Sequence, residues 1–232
     1  MISTIARLTV KRLLRGQAMW VALGIAILPV IVAIVLRQAV HDRVERLAFT
    51  LELYVVEMFV LSVVPALFVA SSIGEEIEDK TITYLWSRPL SRWHVIAGKL
   101  LALAPIAMGV TLVGWLLSIQ VASDALAPAW TIVGIAAAAL AISMVAAGIA
   151  TLAPKHGMAL TIIYMLLFDV PIGEIPASLQ VLSITHQARL LAGISAHGVY
   201  DMTDRIAPAI TMAVLAGVWL ALGLWKIRRT EA

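Results

Sequence analysis

The sequence contains no cysteine, and only 13% of its 232 residues are charged. Without cysteine the chain has no disulfides, no thiolate metal ligands and no catalytic thiol. The low charge excludes an ordinary soluble domain, in which about a quarter of the residues are charged. Apolar residues are abundant instead, at 62%, and the mean hydropathy is +0.98. This composition predicts an integral membrane protein with a single domain over residues 1–232.

Motifs for nucleotide binding and hydrolysis are also missing. The Gly98–Lys99 pair is followed by Leu100, and Trp93 occupies the position where a phosphate-binding loop needs its first glycine. Neither a G-x-S-x-G elbow nor an H-E-x-x-H helix occurs. The net charge of +3 does not predict nucleic-acid binding, because the chain has no basic soluble domain to carry it.

Six apolar segments are long enough to cross a bilayer, which needs about 20 residues per helix. Because lipid offers no hydrogen-bond partners to the backbone, each segment is expected to be helical. The expected fold class is therefore an all-α membrane protein. The predicted spans are Ala18–Leu36, Leu53–Ser72, Leu100–Gln120, Ala129–Ala153, Gly157–Gly173 and Ala207–Trp225.

The distribution of Lys and Arg predicts the orientation of these spans. If both termini are cytoplasmic, twelve of the 17 basic residues lie on the cytoplasmic side, as the positive-inside rule favours. They are Arg7, Lys11, Arg12, Arg15, Lys80, Arg88, Arg92, Lys99, Lys155, Lys226, Arg228 and Arg229. The first span is expected to be retained rather than cleaved as a signal peptide, because it is long and no convincing cleavage site precedes Arg37.

Two segments outside the spans have helical character. Residues 2–15 alternate apolar and basic side chains, which fits either an amphipathic helix in the membrane interface or a plain positive flank. Between spans five and six, Pro171 and Pro176 are expected to break the fifth helix. The leucine-rich stretch that follows predicts a half-apolar helix on the outer surface, or a partly re-entrant element.

Two carboxylates fall at or near membrane depth, Glu57 in the second span and Asp169 in the fifth. Such residues are costly in a bilayer and point to a translocation path or another polar function. The alternative is that each reaches water at the outer interface or pairs with an outer arginine such as Arg189. A metal site at His186 and His197 is a weaker possibility, since no further ligand has a suitable spacing.

The most informative segment is the charged insert at residues 73–99, between the second and third spans. It begins with Glu75, Glu76 and Glu78, and Glu76 with Lys80 has the i,i+4 spacing that supports a helix. An apolar, aromatic stretch follows, and Ser91 is a suitable N-cap for the next helix. This pattern predicts a helical elbow whose exposed surface docks on a soluble partner.

At these residues the chain resembles the type-2 family of ATP-binding-cassette (ABC) exporter permeases. The family pattern is E-x-E-x-G-T-L, then P-x-S-R, then G-K, between the second and third of six spans. The matching positions are Glu76, Glu78, Thr81, Leu85, Pro89, Ser91, Arg92, Gly98 and Lys99. Lys80 stands where the family usually has glycine. The topology of the whole chain is also similar, with an N-terminal interfacial helix and an outer helical segment before the last span.

The resemblance implies a transport function without catalysis in this chain. The insert would be a cytoplasmic coupling helix that docks on a separate ATPase subunit, present in two copies, which binds ATP and magnesium. A second permease copy, identical or similar, would complete the complex in a prokaryotic inner membrane. The residues implied in ATPase coupling are Glu75, Glu76, Glu78, Thr81, Leu85, Pro89, Ser91 and Arg92.

Two other functions are compatible with the same residues. A membrane scaffold or sensor would use the insert to bind a cytoplasmic partner without moving a substrate. An intramembrane enzyme would use Glu57, Asp169 or the outer histidines. The span composition does not identify the cargo, because leucine, alanine and isoleucine are common in any membrane helix.

Overall fold

A computed structural model describes residues 2–39, 55–78, 92–123, 129–175, 178–193 and 205–229. Within these ranges every regular element is a helix, and six helices are long and apolar enough to cross a membrane. The all-α membrane fold and the six spans are thereby confirmed. We number them spans 1 to 6: Gln17–Gln38, Met58–Ile77, Trp93–Val121, Ala129–Leu152, Pro154–Glu174 and Ile206–Ile227.

The observed bounds of two spans differ most from the prediction. Span 3 begins at Trp93 rather than Leu100, and span 2 extends to Ile77 rather than Ser72. Both therefore run further into the charged insert than hydropathy alone indicates. The apolar cores of the other four spans coincide with the predicted segments.

Several spans consist of consecutive helical segments. Span 1 comprises Gln17–Ala26 and Leu28–Ala39, and span 2 comprises Val56–Val60, Leu61–Pro65, Ala66–Ala70 and Ser71–Glu78. Spans 3, 4 and 6 are the continuous helices Arg92–Ser123, Ala129–Leu152 and Ile206–Arg229. Span 5 comprises Pro154–His156, Gly157–Tyr164, Met165–Asp169 and Val170–Glu174. The segments Val56–Val60, Ala66–Ala70 and Met165–Asp169 are π-helical turns.

The spans alternate in direction, so the bundle has two ends. We call the end where span 2 finishes and span 5 starts the proximal end. The two spans meet there, because a Cβ added at Gly74 of span 2 would lie only 2.6 Å from the carbonyl oxygen of Pro154. At the opposite, distal end, the Arg37 guanidinium donates a hydrogen bond of 2.8 Å to the carbonyl oxygen of Val121. The chain thus returns to the proximal end after spans 2, 4 and 6.

Span 4 is the centre of the bundle. Two thirds of its most apolar window is buried (67%), compared with 22% for spans 1 and 6. Its alanine-rich stretch permits close approach: a Cβ at Gly134 would lie 2.7 Å from the carbonyl oxygen of Ala188. Gly148 likewise approaches the backbone of Trp219 in span 6. Small residues in span 4 therefore allow neighbouring backbones to pack closely.

The prolines of spans 2 and 5 lie within helix. Pro65 lies between the two π turns of span 2. The prediction that Pro171 breaks the fifth helix is wrong, because the helix continues through it to Glu174. The π turn Met165–Asp169 ends two residues before Pro171, and its wider backbone leaves room for the pyrrolidine ring against the preceding turn. Pro176 lies outside the described residues.

Two shorter elements accompany the spans. The N-terminal helix, Ile2–Arg15, packs Ala6, Val10 and Leu13 against the bundle. Its position in a membrane interface stays a prediction. Between spans 5 and 6, a 3-10 turn at Ser178–Leu182 precedes the distal helix, Ile184–Ala192. A helix is therefore present between these spans, and its position on the outer surface stays a prediction.

Candidate functional site

The insert leaves and re-enters the bundle at the proximal end. The last helix of span 2 ends at Glu78, and the helix that contains span 3 begins at Arg92. The structure describes the backbone of both residues but not their side chains, and residues 79–91 lie outside the described part. The predicted coupling helix and the coupling roles of Thr81, Leu85, Pro89 and Ser91 therefore stay predictions.

Lys99 joins the two helices from which the insert emerges. Its ammonium lies 2.8 Å from Glu76 Oε1 and donates a 2.9 Å hydrogen bond to the Ser72 hydroxyl. It also donates to the Ser72 carbonyl oxygen. The Lys99 side chain is only 4% exposed and that of Glu76 is 28% exposed. We call Lys99, Ser72 and Glu76 the Lys99 cluster.

The local sequence explains why this cluster forms. Lys99 lies two turns inside span 3, where an ammonium needs an acceptor close by. Ser72 and Glu76, one helical turn apart on span 2, supply a carbonyl, a hydroxyl and a carboxylate on one face. The expected i,i+4 partner of Glu76 was Lys80, which lies outside the described residues. The partner that the structure gives Glu76 is Lys99, on the far side of the insert.

Glu75 points to the N-terminal helix instead. Its carboxylate lies 3.6 Å from the Arg12 guanidinium, and the two side chains are 59% and 79% exposed. Such exposed pairs contribute only about 0–1 kcal/mol. The three described elements at the base of the insert are thus connected by one buried and one exposed ion pair.

At the distal end, Asp169 accepts hydrogen bonds from the start of the distal helix. Its Oδ1 accepts from the Ile184 amide at 2.7 Å, and its Oδ2 accepts from the Thr185 amide at 3.0 Å and the Thr185 hydroxyl at 2.8 Å. The Ser183 hydroxyl lies 3.4 Å from Oδ2. Asp169 is 1% exposed. We call these four residues the Asp169 cap.

The alternative given for Asp169, that its carboxylate reaches water or pairs with Arg189, is wrong. The amides at a helix start lack acceptors within the helix, so a carboxylate from a neighbouring helix satisfies them and is itself satisfied. Arg189 forms an ion pair with Glu174 at the end of span 5 instead. The structure places the backbone of Glu57 in the first π turn of span 2 but does not describe its side chain.

His186 follows the Asp169 cap in the distal helix. Partial burial, and then the positive charge of Arg189, lower the pKa of this imidazole below its usual 6.5. The imidazole is therefore neutral at pH 7. His197 lies outside the described residues, and among the residues that are described no three His, Asp or Glu side chains cluster in a way that could hold a metal ion.

Sequence reasoning missed two groups of residues. Lys99 was noted as a motif match but not as a site residue, and Ser72 was not singled out. The sequence does contain a signal for this cluster, because a lysine inside an apolar helix requires a hydrogen-bond acceptor close by. Ser183 and Thr185 were also missed, although a serine directly before an apolar helical stretch is a typical N-cap, and Ser183 accepts from the His186 amide at 3.0 Å.

The comparisons with known proteins agree with this architecture. The model of the ABC-2 family transporter protein matches residues 10–172, which include spans 1 to 4, the insert and most of span 5. No curated protein matches the chain. The matched range is well over half of the sequence and contains the Lys99 cluster. The chain therefore belongs to the ABC-2 transporter family and is a membrane permease subunit of an ABC transporter.

Proposed function

We propose that this permease is an exporter subunit whose charged insert at residues 73–99 docks on a separate ATPase subunit. The observation that carries the proposal is the Lys99 cluster, which joins the two ends of the insert. ATP and magnesium are bound by the ATPase, and both termini and the proximal end face the cytoplasm. The basic residues of the proximal end, including Lys155 and Arg12, favour this orientation.

The cluster supports a defined mechanical role. When an ATPase displaces the insert, a loose loop would absorb the movement, whereas helices joined at their bases move together. Glu76 is close to the last described residue of span 2, and Lys99 lies two turns into span 3. A displacement of the insert is therefore transmitted to spans 2 and 3 at the same time. In this proposal Glu76 is a positioning residue, and Glu78 and Arg92 remain the candidates for direct contact with the ATPase.

The burial of the spans supports the proposed division between moving and static parts. Span 4 is mostly buried and packed through small residues, which suits a fixed centre. Span 2 contains two π turns and Pro65, and such turns are frequent at functional sites. We place the conformational change in spans 2 and 3.

The complex is proposed to contain two ATPase subunits and two permease subunits, the second permease being identical or similar. The apolar faces of spans 1 and 6 support this composition, because their most apolar windows are only 22% buried. Trp20, Val35 and Val214 are each more than half exposed there. Lipid and a second permease copy together would cover these faces.

The test is ATPase coupling in a reconstituted complex. The full-length permease is co-expressed with its cognate ATPase, and ATP hydrolysis is measured in proteoliposomes with copurification as a second readout. Glu76→Gln and Lys99→Met are expected to lower permease-stimulated hydrolysis at least about fivefold while the ATPase still copurifies. Glu78→Lys and Arg92→Ala are expected to reduce copurification itself.

Lys226→Met is the matched control. Lys226 lies at the same end of the bundle and donates a hydrogen bond to the Leu152 carbonyl oxygen, but this contact joins spans 4 and 6. The Lys226→Met variant should retain permease-stimulated ATP hydrolysis. Wild-type coupling in Glu76→Gln and Lys99→Met would disprove the role of the cluster. Copurification without any nucleotide-dependent substrate movement would favour the scaffold function instead.

A further inference from the structure

A cavity of about 360 Å³ lies at the proximal end between the N-terminal helix, span 2 and span 3. Its volume is within the range of about 300–1,000 Å³ typical of small-molecule sites. One part of its wall is apolar and is formed by Leu13, Leu67, Phe68 and Leu103. The other part is charged and is formed by Arg12, Glu75, Glu76 and Lys99.

The charged wall contains two pairs with different capacity to bind a ligand. Lys99 and Glu76 satisfy each other in the buried Lys99 cluster. Arg12 and Glu75 are mostly exposed and 3.6 Å apart, so their interaction is weak and each retains hydrogen-bonding capacity. The cavity therefore presents one guanidinium and one carboxylate side by side, next to an apolar surface.

We propose that this cavity binds the headgroup of an ethanolamine phospholipid. The phosphate binds the Arg12 guanidinium, which matches phosphate geometry with paired N–H donors. The primary ammonium donates hydrogen bonds to the Glu75 carboxylate, and the glycerol and first acyl carbons pack against Leu13 and Leu103. A zwitterion fits adjacent charges of both signs better than an anionic headgroup does, because the latter leaves Glu75 facing negative charge.

The location of the cavity favours a lipid over a soluble molecule. It lies where the apolar helices of spans 2 and 3 give way to charged residues, which is the depth of lipid headgroups. Leu8, on its N-terminal wall, is 64% exposed and would otherwise present an apolar side chain to water. The inference depends on the membrane location of the chain and not on any ATPase.

The test is lipid retention by the purified full-length permease. The protein in detergent is incubated with equal concentrations of phosphatidylethanolamine, phosphatidylcholine and phosphatidylglycerol, and bound lipid is counted by native mass spectrometry. The wild-type chain is expected to retain phosphatidylethanolamine about three- to tenfold better than phosphatidylcholine, since a trimethylammonium has no N–H to donate. An excess of free phosphoethanolamine should leave the bound lipid in place, because it lacks the apolar contacts.

Three variants identify the site. Glu75→Gln should equalise the retention of the ethanolamine and choline lipids. Arg12→Gln should lower the retention of all three lipids by about three- to tenfold. Arg7→Gln is the matched control, since it removes the same charge from the same helix at an exposed position that does not line the cavity.

Three results would overturn the proposal. They are equal retention of the ethanolamine and choline lipids by the wild-type chain, a loss in Arg7→Gln as large as in Arg12→Gln, and displacement of the lipid by free phosphoethanolamine at matching concentration. The last result would assign the cavity to a soluble phosphoamine. All variants change exposed side chains, so folding is expected to persist, and circular dichroism checks it.

Discussion

The proximal and distal ends of the bundle hold their charged side chains in different ways. At the proximal end, Lys99 is paired with Glu76 and Arg12 with Glu75, so charge meets opposite charge on separate elements. At the distal end, the buried carboxylate of Asp169 is satisfied by uncharged amide and hydroxyl donors. The exposed Arg12–Glu75 pair exchanges partners easily, whereas the buried Asp169 cap does not. The proximal end thus carries an exposed ion pair, and the distal end carries a buried carboxylate that holds the start of the distal helix beside span 5.

We expect the two ends of the bundle to face opposite sides of the membrane. This prediction has the largest expected effect, because an introduced thiol is either labelled from outside the cell or is not. The chain has no cysteine, so single introduced thiols report cleanly. Lys155→Cys and Ser178→Cys lie at exposed positions in short 3-10 turns at the proximal and distal ends. A membrane-impermeant maleimide should label Ser178→Cys in intact cells and Lys155→Cys only after permeabilisation. The reverse pattern would contradict the proposed orientation and, with it, the cytoplasmic insert.

Removal of the distal carboxylate should cause the largest loss of stability. Asp169→Ala leaves the Ile184 and Thr185 donors without their acceptor in a buried site. We expect a loss of about 3 kcal/mol in the free energy of unfolding, from an unsatisfied cap and several lost charge-assisted hydrogen bonds. Chemical unfolding of the purified protein in detergent measures it. Glu174→Gln, which changes the exposed partner of Arg189, is the control and should lose less than about 1 kcal/mol.

Substitutions in the Lys99 cluster should cause a smaller loss of stability, and the effects of the two partners should depend strongly on each other. Glu76→Gln leaves the Lys99 ammonium buried beside a neutral amide, and Lys99→Met leaves Glu76 partly exposed. Each is expected to cost about 2 kcal/mol, below the 3–5 kcal/mol of a fully buried pair because Glu76 reaches solvent. The double variant should cost less than the sum of the two, with a coupling energy of about 1 kcal/mol or more. Simple additivity would show that the pair does not act as a unit.

The exposed pair at the same end should matter little for stability. Arg12→Gln and Glu75→Gln are each expected to change the free energy of unfolding by less than about 1 kcal/mol. Added salt should reduce this difference further, because exposed charges are screened. A change of several kcal/mol would mean that the N-terminal helix contributes to the core, and it would remove the contrast between the buried and exposed pairs.

The smallest predicted effect is a pH dependence at the distal end. Because the pKa of His186 is lowered in the folded chain, the unfolded chain binds more protons as the pH falls through about 6.5. Stability attributable to His186 is therefore present at neutral pH and decreases on acidification. His186→Gln should flatten this part of the stability profile between pH 7 and the lowered pKa. An increase in wild-type stability on acidification that depends on His186 would contradict the sign.

The sequence was sufficient for the architecture but not for the contacts. Hydropathy located the spans because their length and composition are set by the bilayer, independently of neighbouring helices. It misjudged the start of span 3, since Lys99 and His94 lower the local hydropathy although the helix continues through them. The partner of Lys99 lies across the insert in Ser72 and Glu76. The spacing of residues along the sequence could not predict this contact, because Lys99 and Glu76 are brought together only when the chain folds.

The same reasoning explains the error at Asp169. An arginine such as Arg189 is the natural partner for a carboxylate when only sequence is available, because opposite charges attract over distance. The start of a helix is an equally good partner, and its position depends on where the preceding turn ends. Ser183 marked that start, but nothing in the sequence placed it beside span 5.

The crossing of spans 4 and 6 has a consequence for any movement of the permease. Gly148 approaches the backbone of Trp219, and Gly223 in turn approaches Gly148. With no side chain between the two backbones, a rotation or a slide of span 6 would bring the bulk of Trp219 or Leu220 against span 4. This close backbone contact therefore disfavours any movement of the two helices relative to each other. In the proposed transport cycle, spans 4 and 6 would therefore stay together, and spans 2 and 3 would move relative to both.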